Sequence, residues 1–342
     1  MSTIKVNAIE STASGGVAAK IASINDGALS NRNLLHNSSF EVWQRGTAFA
    51  SGASGGNRYT ADRWSVPRRT RAAQSTDVPA GFKYALLLDR EQTGGAEPFT
   101  VSQGIEADNI RFTGSYTLSF YAKSSDISTV NINVQDRTTV SEGGTSHSSI
   151  VTNQAVSITS SWARYTHTFT LSSAALTGTC LRISIGNTSA SQHDELLLTG
   201  IQLETGSVAT DIEKRSFGHE LGLCQRYCVR FSSDGGASNG HFGRFPVGYF
   251  ASSTSGTFGL HHPPMRAVAG RTITDSITSF EAFFNGGGGT INPTITLMGD
   301  GMWSTFTMFI VSGFPSGRTD GAIMTARVHN QAAWFLIIDN EL

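Results

Sequence analysis

The sequence predicts an all-β protein: a β-sandwich, a short connector helix and a second, β-sandwich-like C-terminal domain, preceded by an N-terminal extension. Three observations carry this. Short runs of alternating apolar and polar residues recur along most of the 342 positions, separated by Gly, Asn, Asp and Thr turns at the intervals typical of sandwiches. Charged residues make up only 15% of the chain and glycines number 37, a composition that suits strands joined by tight turns. At 216–228 alone the period changes from two to three and four residues.

Taken in order, residues 1–30 form the extension. Ile4, Val6 and Ile9 fit a short strand, Gly15-Gly16 a turn, and 17–24, with Val17 and Ile21, a second strand or a short helix. Three or four apolar side chains contribute roughly 5 kcal/mol, about what ordering such a segment costs. It is therefore either a loose terminus or ordered by another surface. Residues 31–215 form the sandwich, with strands expected at 38–44, 64–69, 84–89, 99–106, 115–123, 129–135, 155–158, 163–170, 180–186 and 195–204. In 115–123, Tyr116, Leu118 and Phe120 share one face; in 195–204, Leu197, Thr199, Ile201 and Leu203 alternate with Leu198, Gly200, Gln202 and Glu204.

From Ser216, a residue type that caps helices, Phe217, Leu221, Cys224 and Tyr227 or Cys228 recur at helical steps, so 216–228 reads as an amphipathic connector. Residues 229–342 return to strands, expected at 229–232, 240–247, 256–260, 267–274, 280–284, 290–298, 305–312, 322–327 and 334–339. Pro246, Pro263 and Pro264 interrupt this run, since proline cannot donate to a sheet ladder. The glycine run 285–290 reads as an exposed loop.

A net charge of −1 gives no basic surface for nucleic acid, and no apolar run is long enough for a membrane span. Cys180, Cys224 and Cys228 are an odd set without a matching histidine pair, and read as reduced packing residues. Catalytic signatures are missing: there is no Gly-x-Ser-x-Gly elbow, no His-Glu-x-x-His, and no phosphate loop or dinucleotide fingerprint. His261-His262 is a pair by adjacency only, because neighbouring strand residues face opposite ways.

Asn33-Leu-Leu-His-Asn-Ser-Ser-Phe-Glu-Val-Trp-Gln-Arg-Gly46, Ala61-Asp-Arg-Trp64, the junction Thr199-Gly-Ile-Gln-Leu-Glu-Thr-Gly-Ser-Val-Ala-Thr-Asp-Ile-Glu213 with Glu220-Leu-Gly-Leu-Cys-Gln-Arg-Tyr227, Phe245-Pro-Val247 and His262-Pro-Pro-Met-Arg-Ala-Val268 resemble bacteriophage tail-fibre and related virion proteins. The resemblance implies a non-enzymatic homotrimeric tail fibre of the virion, made in the host cytoplasm, that attaches the particle to host surface glycan. It makes Ile4, Val6, Ile9, Val17 and Ile21 candidates for anchoring to tail or baseplate proteins, and the C-terminal domain a trimerisation and receptor tip. A head-decoration or fibre-to-tail adaptor protein is the alternative. A glycan depolymerase, drawing two carboxylates from Asp62, Glu97, Glu106, Asp194 and Glu195, is a second.

Residues 31–215 further resemble the jelly-roll carbohydrate-binding modules attached to glycan-degrading enzymes, with Phe40-Glu41 in the opening strand and 199–203 in the closing one. No cofactor is expected, although many such modules hold a structural calcium. Thr199-Gly200, standing where the family's last strand has acids, departs from that pattern, and Glu41 with Asp194 or Glu195 just upstream are the ligands this sequence offers. A sugar site in such a module needs exposed rings, because an aromatic face stacks on the apolar face of a pyranose while nearby polar groups take its hydroxyls. Trp43, Trp64 and Trp162 lie in or beside apolar strands, as core residues do. Tyr59, in a glycine-rich loop, is the better surface residue; Tyr84 and Tyr121 are further candidates. Tyr59, Trp64, Tyr84 and Trp303 are the residues put forward for glycan.

Overall fold

A computed structural model describes residues 31–52, 56–91, 99–110, 113–137, 146–172, 180–187, 191–232, 242–266, 271–277, 280–284, 287–303, 305–314, 323–328 and 335–339. Two six-stranded antiparallel sheets face each other in the first domain. One runs β1 (Ala48–Phe49), β4 (Arg71–Ser75), β5 (Ala85–Asp89), β12 (Glu195–Thr205), β7 (Gly114–Lys123), β10 (Ala163–Leu171). The other runs β2 (Asn57–Tyr59), β3 (Ser65–Pro67), β6 (Phe99–Glu106), β11 (Cys180–Asn187), β8 (Thr129–Arg137), β9 (Ser146–Ser157). Alternation drives this pairing: Tyr116, Leu118, Phe120 and Ala122 of β7 meet Val130, Ile132 and Val134 of β8 and Ile183 and Ile185 of β11 in one core. The result is the expected jelly-roll sandwich.

Residues 38–44 were expected to be a strand and are not one. They belong to an irregular segment held against β12 by backbone and side-chain bonds alike. Leu34 N and Ile201 N donate to Leu203 O and Ser38 O, respectively, while Asn33 Nδ2 donates to Ile201 O and Asn33 Oδ1 accepts from Leu203 N. The Asn33 amide thus supplies half of these bonds, in place of the regular ladder a strand would have formed.

Helix α1 (Phe217–Gln225) is capped by Ser216, whose hydroxyl accepts from His219 N at 3.3 Å. Its buried face carries Glu220 and Cys224, whereas Phe217, expected on the apolar stripe, is 54% exposed. The reason is local: Glu220 reaches Asn37 N and pairs with Arg215 at 3.6 Å, and this polar clamp sets the helix's rotation. No helix among the described residues is long and apolar enough to cross a membrane. Cys180, Cys224 and Cys228 are free thiols and buried, as expected.

The second domain is also a pair of sheets. Three strands, β13 (Cys228–Ser232), β22 (Phe335–Asp339) and β16 (Thr272–Asp275), pack on seven, in the order β18 (Gly287–Ile291), β17 (Phe280–Phe284), β21 (Ile323–Val328), β14 (Phe242–Phe250), β15 (Ser255–His261), β20 (Phe306–Ser312), β19 (Thr294–Trp303). Phe250, Phe258, Phe309, Phe314, Leu336 and Ile338 form its core. One expectation is corrected. The glycine run read as a loop supplies most of β18, because paired extended backbone needs no side chain and Gly287 to Gly289 pair with Phe284 to Ala282. Pro246 sits within β14, and the ladder is interrupted there as expected, by a register shift between Phe245 and Gly248.

The domains are bolted by polar contacts. Arg45 pairs with Asp339 at 2.8 Å and with the fully buried Asp62 at 3.5 Å, and Gln44 bonds Cys228 O and Arg230 N. On the helix side, Glu106 receives Arg226 at 2.9 Å, Arg266 at 3.8 Å and the Tyr227 hydroxyl.

Candidate functional site

On β7 the residues alternating with the core set, Thr117, Ser119, Tyr121 and Lys123, point to the outer face of the first sheet. The chain leaving β12 covers the first two: Thr117 Oγ1 donates to Gly206 O, and Arg164, beside Ser119, donates to Thr210 O. Tyr121 and Lys123 lie beyond this cover and are half-exposed. Around them residues 76–84, between β4 and β5, fold over the sheet. The Phe82 ring meets Tyr121 at 5.1 Å between centroids. Asp77 receives both Trp162 Nε1 at 2.9 Å and Lys123 Nζ at 2.5 Å, and Lys123 Nζ lies 5.8 Å from the Trp162 ring centroid. Lys123 first, then Trp162, holds the Asp77 carboxyl below the usual aspartate range, so it stays ionised and fixes the indole.

Gly200 makes the seat. Its φ is +57°, and a Cβ there would lie 2.6 Å from Phe82 Cζ and 3.1 Å from Tyr121 Cδ2, so the aromatic pair rests where a side chain would be. The register shift between Thr199 and Gln202 places that residue, and Thr199 Oγ1 donates to Tyr84 O at 2.8 Å, tying the covering loop to β12. Phe82 continues into a crevice of about 100 Å³ lined by Ser38, Ser39, Glu41, Gly81 and Lys214. Rings, an oriented Asp–Lys pair and a polar crevice therefore share one face, the combination that stacks on a sugar ring and bonds its hydroxyls.

The structure sorts the expected residues. Tyr84 is half-buried at the edge of this face, with Lys83 Nζ 5.0 Å from its ring centroid. Tyr59 is half-buried on the opposite sheet under Arg45, 5.5 Å from its ring centroid. Trp64 is corrected: it is 0% exposed, packs on Phe40 and donates Nε1 to Asn37 O at 2.9 Å, so no face is left for a ligand. Trp43 packs against the same core. Trp303 closes β19, and its side chain lies outside the described residues, as do Ile4, Val6, Ile9, Val17 and Ile21.

Glu41 enters the crevice beside Phe82, whereas Asp194 accepts from Ser191 N ahead of β12. Asp194 stands six residues from Gly200, roughly 20 Å along an extended chain, so the structure does not bring the two carboxylates together. No metal-binding group of three His, Cys, Asp or Glu occurs among the described residues. Asp62 and Glu106, put forward as depolymerase acids, are both engaged by arginines at the domain junction. Phe82 was missed by sequence reasoning. Its signal was the Pro79-Ala-Gly-Phe82 turn just ahead of a strand, which holds a ring out over the neighbouring sheet surface.

His261 and His262 do face apart: His261 lies on Phe306 at 4.7 Å, and His262 is buried. Arg271 donates to Thr307 Oγ1 at 2.8 Å, and His262 Nε2 lies 2.9 Å from the same oxygen. Pro263 O can only accept, so His262 Nδ1, 2.8 Å away, carries the proton and the Thr307 hydroxyl donates to Nε2. Burial lowers this imidazole's pKa. The neutral form is thus favoured in the fold, and its stabilising effect is fully present above the ordinary histidine value near 6.5 and lost as pH falls through the depressed one. Urea titrations from pH 7.5 to 5 should show the second domain weakening on acidification, and His262→Gln should flatten that slope; an unchanged slope would count against the assignment.

No family model matches the chain, and no curated protein matches it. Among solved structures it is similar to a family 22 carbohydrate-binding module from Clostridium thermocellum, at 14% identity over 53% of this chain and 99% of that one, with a TM-score of 0.35. It is also similar to a xylan-binding domain from Paenibacillus barcinonensis, at 16% over 55% of this chain and 100% of that one, TM-score 0.32. The enzymatically active domain of a tailspike protein from bacteriophage CBA120 is similar at 13% over 50% of this chain and 21% of that one, TM-score 0.32.

Proposed function

We propose that this chain is a non-catalytic glycan-binding protein of a phage virion, acting as a homotrimeric tail fibre that grips host surface polysaccharide. The observation that carries the glycan reading is the face holding Phe82, Tyr121 and Trp162, with Asp77 and Lys123 fixed among the rings. Such a face binds by stacking and by hydrogen bonds to hydroxyls, and three copies on one fibre turn weak single contacts into useful avidity. The virion assignment is supported by the sequence resemblance at 33–46 and 199–227, and the trimer follows only from that resemblance.

The test uses the full chain against a panel of bacterial surface polysaccharides immobilised for binding. Phe82→Ala and Trp162→Ala should each weaken binding about tenfold, the loss of roughly 1.4 kcal/mol, because each removes one stacking surface. Binding should persist at 0.5 M salt, since no net charge drives it. Retention of full affinity by both variants, or absence of binding to every polysaccharide, overturns the glycan reading. A monomeric mass in solution overturns the trimer.

A further inference from the structure

A second cavity, of about 460 Å³, lies at the other end of β12, where the opening segment, the 3-10 turn Ala107–Asn109, the start of β7 and helix α1 meet. Its size falls within the usual range for small-molecule pockets. Arg32, Arg215, His36 and His219 contribute the ionisable groups of its wall, and no aspartate or glutamate lines it. Asn31 and Asn109 add amides; Leu34, Tyr116 and Leu223 add apolar surface.

The charges do not cancel. Arg215 is neutralised from behind by Glu213 at 3.3 Å and Glu220 at 3.6 Å, and its guanidinium also donates to Asn33 O and Leu35 O. Arg32 is different: the bond shown for it goes to the backbone carbonyl of Asp211 at 3.1 Å, and no carboxylate among the described residues pairs with it. Arg32 Nε and His36 Nδ1 are shielded from solvent and have no hydrogen-bond partner among the described residues. Desolvation, followed by Arg63, Arg215 and Arg226, lowers the His36 pKa, as befits a strongly positive surrounding. Gln103 bonds both the N–H and the C=O of His36, which leaves the imidazole as that residue's free polar group. A guanidinium with no carboxylate partner, in a cavity wall without acids, offers charge-assisted donors to an anionic oxygen.

We infer that this cavity binds a small carboxylate of monosaccharide size, held by Arg32 and His36 against the Leu34 and Tyr116 wall. The site rests on the cavity's own lining, so it stands or falls apart from the aromatic face. An acidic sugar unit and a free organic acid share this chemistry, and the choice of probes separates them.

Calorimetry on the full chain at pH 7 would use glucuronate, glucose, lactate and inorganic phosphate as probes. Glucuronate should bind at least tenfold more tightly than glucose, and Arg32→Gln should abolish that preference. Arg32 makes one peripheral bond, so the variant should keep the parent Tm; should it fail to fold, His219→Gln, at an exposed position on α1, serves instead and should weaken glucuronate severalfold. Lactate binding as tightly as glucuronate would assign the site to free organic acids and support the carboxylate; weaker lactate would assign it to acidic sugars. Glucuronate binding no better than glucose, phosphate outcompeting every carboxylate, or an unaltered preference in both variants would overturn the inference.

Discussion

Asn37→Ala should cost the first domain about 3–5 kcal/mol and lower its melting temperature by on the order of 10 °C. Asn37 is fully buried. Its amide donates to Val42 O at 2.8 Å and Asp62 O at 2.9 Å, and its carbonyl accepts from Val42 N at 2.9 Å. Alanine orphans all three backbone groups in a place water does not reach, at roughly 1–3 kcal/mol each before relaxation. The backbone adds to the loss: φ here is +52°, a region asparagine tolerates and alanine occupies at about 1 kcal/mol. Relaxation of the segment around the missing amide brings the sum down to the stated range. Against the 5–15 kcal/mol typical of a domain this is a large fraction. Asn37→Gly separates the terms, since it keeps the backbone freedom and loses only the hydrogen bonds; it should recover roughly 1 kcal/mol over alanine in urea melts. A loss below 1 kcal/mol for Asn37→Ala would mean the opening segment is not held by this amide.

That residue also shows what the sequence disclosed and what it hid. Strands such as Phe99–Glu106 and Glu195–Thr205 were legible because their apolar residues alternate and both faces are dictated by burial. The segment 38–44 resembled a strand for the same reason, yet its order comes from Asn33 and Asn37, whose side chains bond backbone many residues away. Periodicity is blind to such bonds. The brief strands β1, β2 and β4 escaped as well: Arg71-Ala-Ala-Gln-Ser75 has no strong β-formers, and its place is set by pairing with β5. The site was half-legible. Tyr84, Tyr121 and Trp162 were candidate rings by type, but Trp64 is the same type and lies in the core, because burial is decided by which strand face meets the second sheet. Glu41, singled out for calcium, lines the crevice beside Phe82.

Gly200→Ala should dismantle the aromatic face while leaving the sandwich folded. Gly200 is the floor on which Phe82 and Tyr121 sit. A methyl group at 2.6 Å from Phe82 Cζ cannot coexist with that ring, and the backbone at φ +57° disfavours alanine by about 1 kcal/mol in addition. Phe82 is on a covering loop and can swing away, so stability should fall by only about 1–3 kcal/mol. Glycan affinity should fall about tenfold, as far as in Phe82→Ala, because the methyl group displaces that same ring. The decisive comparison is the double variant. If Gly200 acts through the Phe82 ring, adding Gly200→Ala to Phe82→Ala should cost little further affinity and only the backbone strain in stability, a non-additive result. Additive losses in binding would show that the glycine serves the strand's pairing with β7 and not the ring above it, and the aromatic face would lose its claim to be a built site.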